Sequence, residues 1–277
     1  MMPQVLKEPI RKAYVDIADG QVHYRHRHGS GTPVLFLHQT ASSSAMWDKI
    51  MRRWQGDHPL FAMDTPGFGG SFDPDVQPDM DRYVGWVRES MDALGLDRAH
   101  LVGHHTGSAI ALALAAASPS RVTSLAMVGA SILTESERTA FAAKLGHAFR
   151  PNRSGAYLLK NWEYLRVGGA DKDMDLLHRE MIDMLRAWNS RPHAYGAVWA
   201  QDAMPLLRAL ACPAIAISAR DDMLFPYLER IAGIRPDIAR VALENGGNFE
   251  PDLAPDALAA ELLRHVNTVA EGRLGAG

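Results

Sequence analysis

Short, nearly continuous apolar runs recur at 34–37, 60–63, 99–102, 122–128 and 214–217, each closed by glycine, proline or small polar residues. Runs this short with no polar face predict strands buried on both sides, the pattern of a parallel sheet with helices against each face. A different rhythm marks the start of the chain, where 14–17 and 21–25 flank Asp19 and Gly20 and predict an antiparallel hairpin. The segment 108–114 consists mainly of small apolar residues and predicts a helix. From Ile132 to about Leu210 the buried-strand pattern stops, and Met174, Leu177, Met181, Met184, Leu185 and Trp188 fall at helical spacing. That stripe predicts the packed face of a helix, with methionines adaptable enough to cover a pocket. The chain therefore divides into a core at 1–131 and 206–277 and a helical insertion at 132–205, with Gly168 and Gly169 as a break between helices.

Composition narrows the function. The 277 residues suit one large domain carrying an insertion. A net charge of −3, with no dense Lys/Arg cluster among aromatics, argues against nucleic acid and favours a small-molecule substrate. No stretch approaches the roughly 18 apolar residues of a membrane span, and Met1-Met2-Pro3-Gln4 leads into charged residues instead of an apolar leader. The expectation is a cytoplasmic monomer or homodimer with no membrane partner. Cys212, the single cysteine, excludes an intrachain disulfide and is expected as a small buried residue. His23, His26 and His28 have no carboxylate or cysteine at ligand spacing, so they are expected at the surface and not as a metal site. Gly67-Phe68-Gly69-Gly70 lacks the third glycine and helix start of a dinucleotide fingerprint, and no phosphate-binding G-x-x-x-x-G-K-[ST] occurs. No cofactor and no metal are expected.

The candidate chemistry centres on Gly103-His104-His105-Thr106-Gly107, which has the glycines of a G-x-S-x-G nucleophile elbow with histidine in the serine place. Such an elbow is a strained strand-to-helix turn that lifts its middle side chain to the top of a parallel sheet. The spacing alone is weak, but three landmarks accompany it. His38-Gln39-Thr40 and Ser42-Ser43-Ser44 follow the first buried run; Asp64-Thr65-Pro66-Gly67-Phe68-Gly69-Gly70-Ser71 follows the second; Ala219-Arg220-Asp221-Asp222 follows the last. These resemble, in order, the oxyanion loop, the D-x-P-G-x-G-x-S turn and the acid-bearing loop of the α/β-hydrolase superfamily, and on them the chain is identified as a member.

The resemblance implies an α/β-hydrolase fold: a mostly parallel sheet flanked by helices, with an inserted helical cap. It also implies the chain order nucleophile, acid, histidine. Here His105, Asp222 and Asn248 occupy those places, Asn248 standing in a Gly247-Asn248-Phe249 turn where the family carries histidine. The oxyanion donors implied are the N–H of Thr106 and that of Gln39 or Thr40. His38 and His104 fall at positions the family uses for support, and with Trp162 and Trp199 they are the candidate pocket residues.

Imidazole is a side chain that exchanges protons near neutral pH, so a histidine at the elbow joins location and basicity. Asn248 offers an amide oxygen for the His105 ring N–H and an amide N–H for Asp222, which would make a relay. Direct attack by the ring, giving an acyl-imidazole, is the covalent variant. The expected activity is hydrolysis of a small ester, lactone or C–C substrate. A lyase, decarboxylase or isomerase, or a catalytically silent binding protein, remain open because the fold hosts many chemistries. Against silence, both replacements are polar and Asp222 is retained.

Overall fold

The computed structural model describes residues 9–272. The segment Met1-Met2-Pro3-Gln4, expected to lack a leader, lies outside them. Eight strands form one sheet: β1 (Arg11–Ile17), β2 (Gly20–Arg27), β3 (Val34–Leu37), β4 (Leu60–Met63), β5 (Ala99–His104), β6 (Val122–Val128), β7 (Ala214–Ala219) and β8 (Ala239–Leu243). Their order is β1-β2-β4-β3-β5-β6-β7-β8. The pairings β1–β2 and β2–β4 are antiparallel, and all others are parallel. Each predicted run is a strand, and the predicted hairpin is β1–β2. The sheet is thus the mostly parallel one of the α/β-hydrolase fold.

The helices are α1 (Asp48–Arg53), α2 (Met80–Ala93), α3 (Thr106–Ala117), α4 (Glu135–Leu145), α5 (Ala156–Val167), α6 (Met174–Arg186), α7 (Ser190–Ala200), α8 (Ala203–Ala209), α9 (Arg230–Ile234), α10 (Glu250–Leu253) and α11 (Pro255–Ala270). Successive strand residues point to opposite faces, so each apolar run feeds two cores. Leu35, Leu37, Leu101, Leu125 and Met127 pack with α2, α3 and α8. Val34, Phe36, Val102, Ala126 and Val128 pack on the other side with α1 and α11. Full burial of one such side chain stabilises by about 1.5–3 kcal/mol, which is why strands without a polar face belong between two helical layers.

Five helices, α4–α8, fill the chain between β6 and β7. Local caps set their starts. The Thr134 side chain accepts from Glu137 N–H while Glu137 reaches back to Thr134 N–H, opening α4; Asp173 accepts from Asp175 and Leu176 N–H, opening α6. The packed face of α6 differs from the predicted stripe: Leu176, Leu177 and Met184 are buried, Met174 is exposed, and Glu180 joins the buried face. The histidine row also differs. His28 is exposed and His26 half-buried, but His23 is buried against Asp64, with Nδ1 2.7 Å from Oδ2. The strand pleat turns it inward onto the turn after β4. Cys212 is buried, as expected. Among the described residues no helix is long and apolar enough to cross a membrane.

Candidate active site

β5 ends at His104 and α3 begins at Thr106, leaving His105 to make the turn with φ 47° and ψ −107°. It is the one non-glycine residue with positive φ among those described. A conformation of this kind costs about 1–3 kcal/mol and persists because its surroundings fix it. His105 N–H donates to Val128 O at 2.9 Å, and its carbonyl accepts from Ala109 N–H at 3.1 Å. The flanking glycines permit the approach: a Cβ on Gly107 would lie 2.2 Å from Leu37 O, and one on Gly103 2.3 Å from Gly107 O. Gly129, at the end of β6, makes room for the ring, since a Cβ there would fall 2.2 Å from His105 Cδ2 and 2.8 Å from Asp222 Oδ2.

The His105 ring meets Asp222 directly, Nε2 to Oδ2, at 2.9 Å. The Asp222 carboxylate is buried on the loop after β7, and its Oδ1 accepts Leu224 N–H at 2.7 Å. Burial works against its ionisation, but the His105 ring and the bonds from His105, Leu224 and Glu250 outweigh it and lower the pKa. When Nε2–H donates to the carboxylate, the neutral ring carries its lone pair on Nδ1.

This contact replaces the expected relay. Asn248 Oδ1 accepts Met223 N–H at 3.1 Å and Nδ2 donates to Gly168 O at 3.0 Å, so both ends of the amide are taken up by backbone. Asn248 does not stand between Asp222 and His105. The physical reason is reach: an imidazole at the elbow extends to the acid that a serine could contact only through a third residue. Asn248 instead ties the acid loop to the end of α5 and lines the cavity wall.

A buried pair lies beneath the dyad. His104 and Glu250 are both fully enclosed, with Nε2 2.7 Å from Oε2, and Glu250 Oε1 accepts Ala219 N–H at 3.0 Å. The Glu250 carboxyl also hydrogen-bonds Asp222. The His104 and His105 rings stack with centroids 4.3 Å apart. Burial pushes the His104 pKa well down and that of Glu250 well up, so the imidazole is neutral and the carboxyl holds a proton. One pattern engages every proton: His104 Nε2–H donates to Glu250, the Glu250 hydroxyl donates to Asp222, and His104 Nδ1 keeps a lone pair with no partner. Asp222 is left as the anion facing His105. His104, His105 and Glu250 also bring ligand atoms within 4.8 Å of one another, but a cation there would have to displace this proton and break the His104–Glu250 bond.

Above the elbow, the loop after β3 is held by braces. His38 Nδ1–H donates to Gln39 O at 2.7 Å and Nε2 accepts Thr65 N–H at 2.9 Å, leaving neither nitrogen free. Asp64 accepts from Ser44 N–H at 2.6 Å and from Gly70 N–H and the His23 ring at 2.7 Å. Burial alone would raise the Asp64 pKa, but the His23 bond, the His38 ring and these N–H groups hold it at about 2. Thr106 Oγ1 donates to Thr40 Oγ1 at 2.9 Å, which brings together the two segments expected to supply oxyanion donors. Thr106 opens α3, so its N–H has no acceptor within the helix.

A cavity of about 700 Å³ opens over His105. Gln39, Thr40 and Asn248 line its core side; Tyr164, Glu180, Met184 and Tyr195 line it from the insertion. None of the four pocket candidates lines it. His38 and His104 are locked below, Trp162 is half-buried among core residues, and Trp199 stacks behind Tyr195 with centroids 5.7 Å apart. Tyr195 and Glu180 went unpredicted. Glu180 carried a signal, being a charged residue inside the apolar stripe of α6.

Comparison with known proteins agrees with this architecture. The family model for the alpha/beta hydrolase fold matches residues 32–251. A haloalkane dehalogenase of Agrobacterium fabrum is 37% identical over 115 residues, covering 42% of this chain and 38% of that protein. The 1-acylglycerol-3-phosphate O-acyltransferase ABHD5 of Rattus norvegicus is 32% identical over 130 residues, covering 44% and 36%. The chain thus spans less than half the length of these relatives. Among solved structures, the enol-lactonase from Burkholderia xenovorans LB400 superposes with a TM-score of 0.72 at 19% identity, covering 92% of this chain and 100% of the other. E-2-(acetamidomethylene)succinate hydrolase does so with a TM-score of 0.76 at 21% identity, covering 94% and 100%. These two likenesses speak to fold. With the sheet order, the elbow and the family match over most of its length, the chain belongs to the alpha/beta hydrolase fold family.

Proposed function

We propose that this protein hydrolyses a small ester, lactone or C–C substrate without a cofactor, using His105 as general base. The observation that carries the reading is the 2.9 Å contact between His105 Nε2 and Asp222 Oδ2 at a strained elbow that lines the cavity. Asp222 orients the ring and stabilises the imidazolium, while Nδ1 takes a proton from water as it attacks the substrate carbonyl. The N–H groups of Thr106 and of Gln39 or Thr40 receive the developing oxyanion. Collapse of the tetrahedral intermediate returns the proton from Nδ1 to the leaving group. In this reading residues 132–205 are the cap that covers the substrate and excludes water. Support also comes from the family match over residues 32–251 and from the similarity of part of the chain to a haloalkane dehalogenase.

The test is a panel of small esters and enol lactones followed by single-turnover kinetics and intact mass measurement. His105→Gln, which keeps a hydrogen-bonding side chain but cannot act as the base, is expected to retain binding within a few-fold and to lose about 100-fold or more in kcat. Parent enzyme is expected to accumulate no acyl adduct. An adduct mapped to His105 would make the ring a nucleophile, and near-parent turnover in the Gln variant would remove His105 from the mechanism.

A further inference from the structure

Glu180 is a carboxylate placed where α6 is otherwise apolar. It is only 3% exposed, and its helical neighbours on the same face are Leu176, Leu177 and Met184. One oxygen is fully occupied: Oε1 accepts from Ser42 Oγ at 2.7 Å and from Arg179 Nη2 at 2.6 Å. The other, Oε2, accepts nothing from the described residues, although Glu180 lines the cavity over His105. Oε2 is thus left to water in the cavity, and an apolar ligand that covers it forfeits that hydration, whereas a ligand that supplies a donor replaces it with a charge-assisted hydrogen bond.

Charge points the same way. The Arg179 guanidinium is shared, since it also forms a two-pronged pair with Asp252 at 2.8 and 2.7 Å. Lys49 Nζ also stands 3.7 Å from Asp252, but it is paired with Asp173 at 3.0 Å, so two cations meet three carboxylates and this wall of the cavity stays negative. Most of the cavity lining is apolar or aromatic, with Leu165, Met184 and Phe249 enclosed in it, whereas Lys144, Lys160 and Glu163 are exposed.

We infer that Glu180 is a specificity-determining residue whose Oε2 receives a hydrogen-bond donor, a hydroxyl or protonated amine, carried on an otherwise apolar part of the substrate. The inference rests on the proposed function in taking this cavity as the substrate site. It excludes substrates that would set a carboxylate or phosphate against Glu180. It also makes Glu180→Gln an inverting change. Ser42 and Arg179 are both donors and hold the Gln carbonyl in the Oε1 place, so the amide NH₂ turns into the cavity and an acceptor becomes a donor.

The experiment measures binding, not turnover. The probes are phenylalkyl methyl ketones of increasing chain length, inert to hydrolysis, each as the parent and as its para-hydroxy, para-aminomethyl and para-carboxy derivative. Calorimetry gives Kd for the native protein, for Glu180→Gln, and for Met184→Trp, which fills the cavity. At the best-fitting chain length the hydroxy or aminomethyl ketone is expected to bind about tenfold or more tighter than its parent, and the carboxy ketone more weakly. A gain by the hydroxy form alone identifies a neutral donor; a larger gain by the amine identifies a cation. In Glu180→Gln the gain is expected to vanish and the carboxy ketone to become the tighter ligand. Parent ketones that bind, lose binding in Met184→Trp and show no donor gain at any length would overturn the Glu180 inference alone. Parent ketones that bind equally well with the cavity filled, or not at all, would overturn the assignment of the cavity as substrate site as well.

Discussion

Histidine is longer than serine, and at the elbow that length decides the fates of the residues around it. Because the ring reaches Asp222 at 2.9 Å, Asn248 is free to bond Met223 N–H and Gly168 O. Asn248→Ala is therefore expected to lower kcat by less than about tenfold, below the usual range of a general-base deletion; steady-state kinetics on the best ester of the panel would show it. A loss matching that of His105→Gln would restore a relay through the amide. Glu250 has the opposite profile. Its raised pKa means the folded state keeps a proton that the unfolded chain releases above about pH 4.3, so the unfolded state binds fewer protons and stability falls as pH rises toward the folded pKa. Glu250→Gln keeps an acceptor for Ala219 N–H and a donor for Asp222, and its second amide hydrogen is met by His104 Nε2 once that ring carries its proton on Nδ1, so it is expected to flatten this decline while retaining activity. Glu250→Ala is expected to lose about 1–3 kcal/mol by stranding the Ala219 N–H and His104. Urea unfolding across pH checks both. The elbow was legible because Gly103 and Gly107 are dictated by backbone approach. Glu250 was not, because a Glu-Pro pair at a helix start reads as a surface cap, and only the docking of α10 beneath β7 encloses it.

At the scale of elements, strands buried on both faces were easily read, whereas β8 was not. Its residues are exposed or half-buried except Leu243, so the edge of the sheet carries no continuous apolar run. For α6 the periodicity was legible but not the rotation of the helix, which buries Glu180 and exposes Met174. Asp183, on the same helix, accepts from Ser43 Oγ at 2.8 Å. Burial first, and Glu180 second, raise its pKa to about 7. A carboxyl raised in the folded state binds its proton where the unfolded chain has released it, so stability declines from about pH 4 to about pH 7. Asp183→Asn is expected to remove that part of the decline and to leave the variant more stable than the parent at pH values above the window. Thermal unfolding of the two proteins on either side of it makes the check, and parallel pH profiles would show that Asp183 ionises without consequence for folding.

Across the whole molecule, the sheet brings the ends of β3, β5, β6 and β7 together, and with them the loop of Gln39 and Thr40, the elbow, Gly129 and Asp222. The sequence motifs announced this convergence because each lies directly after a buried run. The insertion was legible as helical and as the cover of a pocket, but not for which of its side chains face His105: that depends on how α5, α6 and α7 sit over the sheet, and Trp162 and Trp199 stay off the cavity wall while Tyr164, Tyr195 and Glu180 line it. In the proposed function the His105 ring, held by Asp222, performs the proton transfer. The most direct test of that step is chemical rescue. His105→Gly suits the positive φ, and together with Gly129 it opens a ring-shaped space beside Asp222. The variant is expected to be folded and inactive toward the ester that the parent hydrolyses, and added imidazole is expected to restore hydrolysis saturably, with rescue growing as the imidazole becomes its free base. Failure of imidazole to restore turnover while it binds the folded variant, or hydrolysis by the variant at the parent rate without imidazole, would contradict the account.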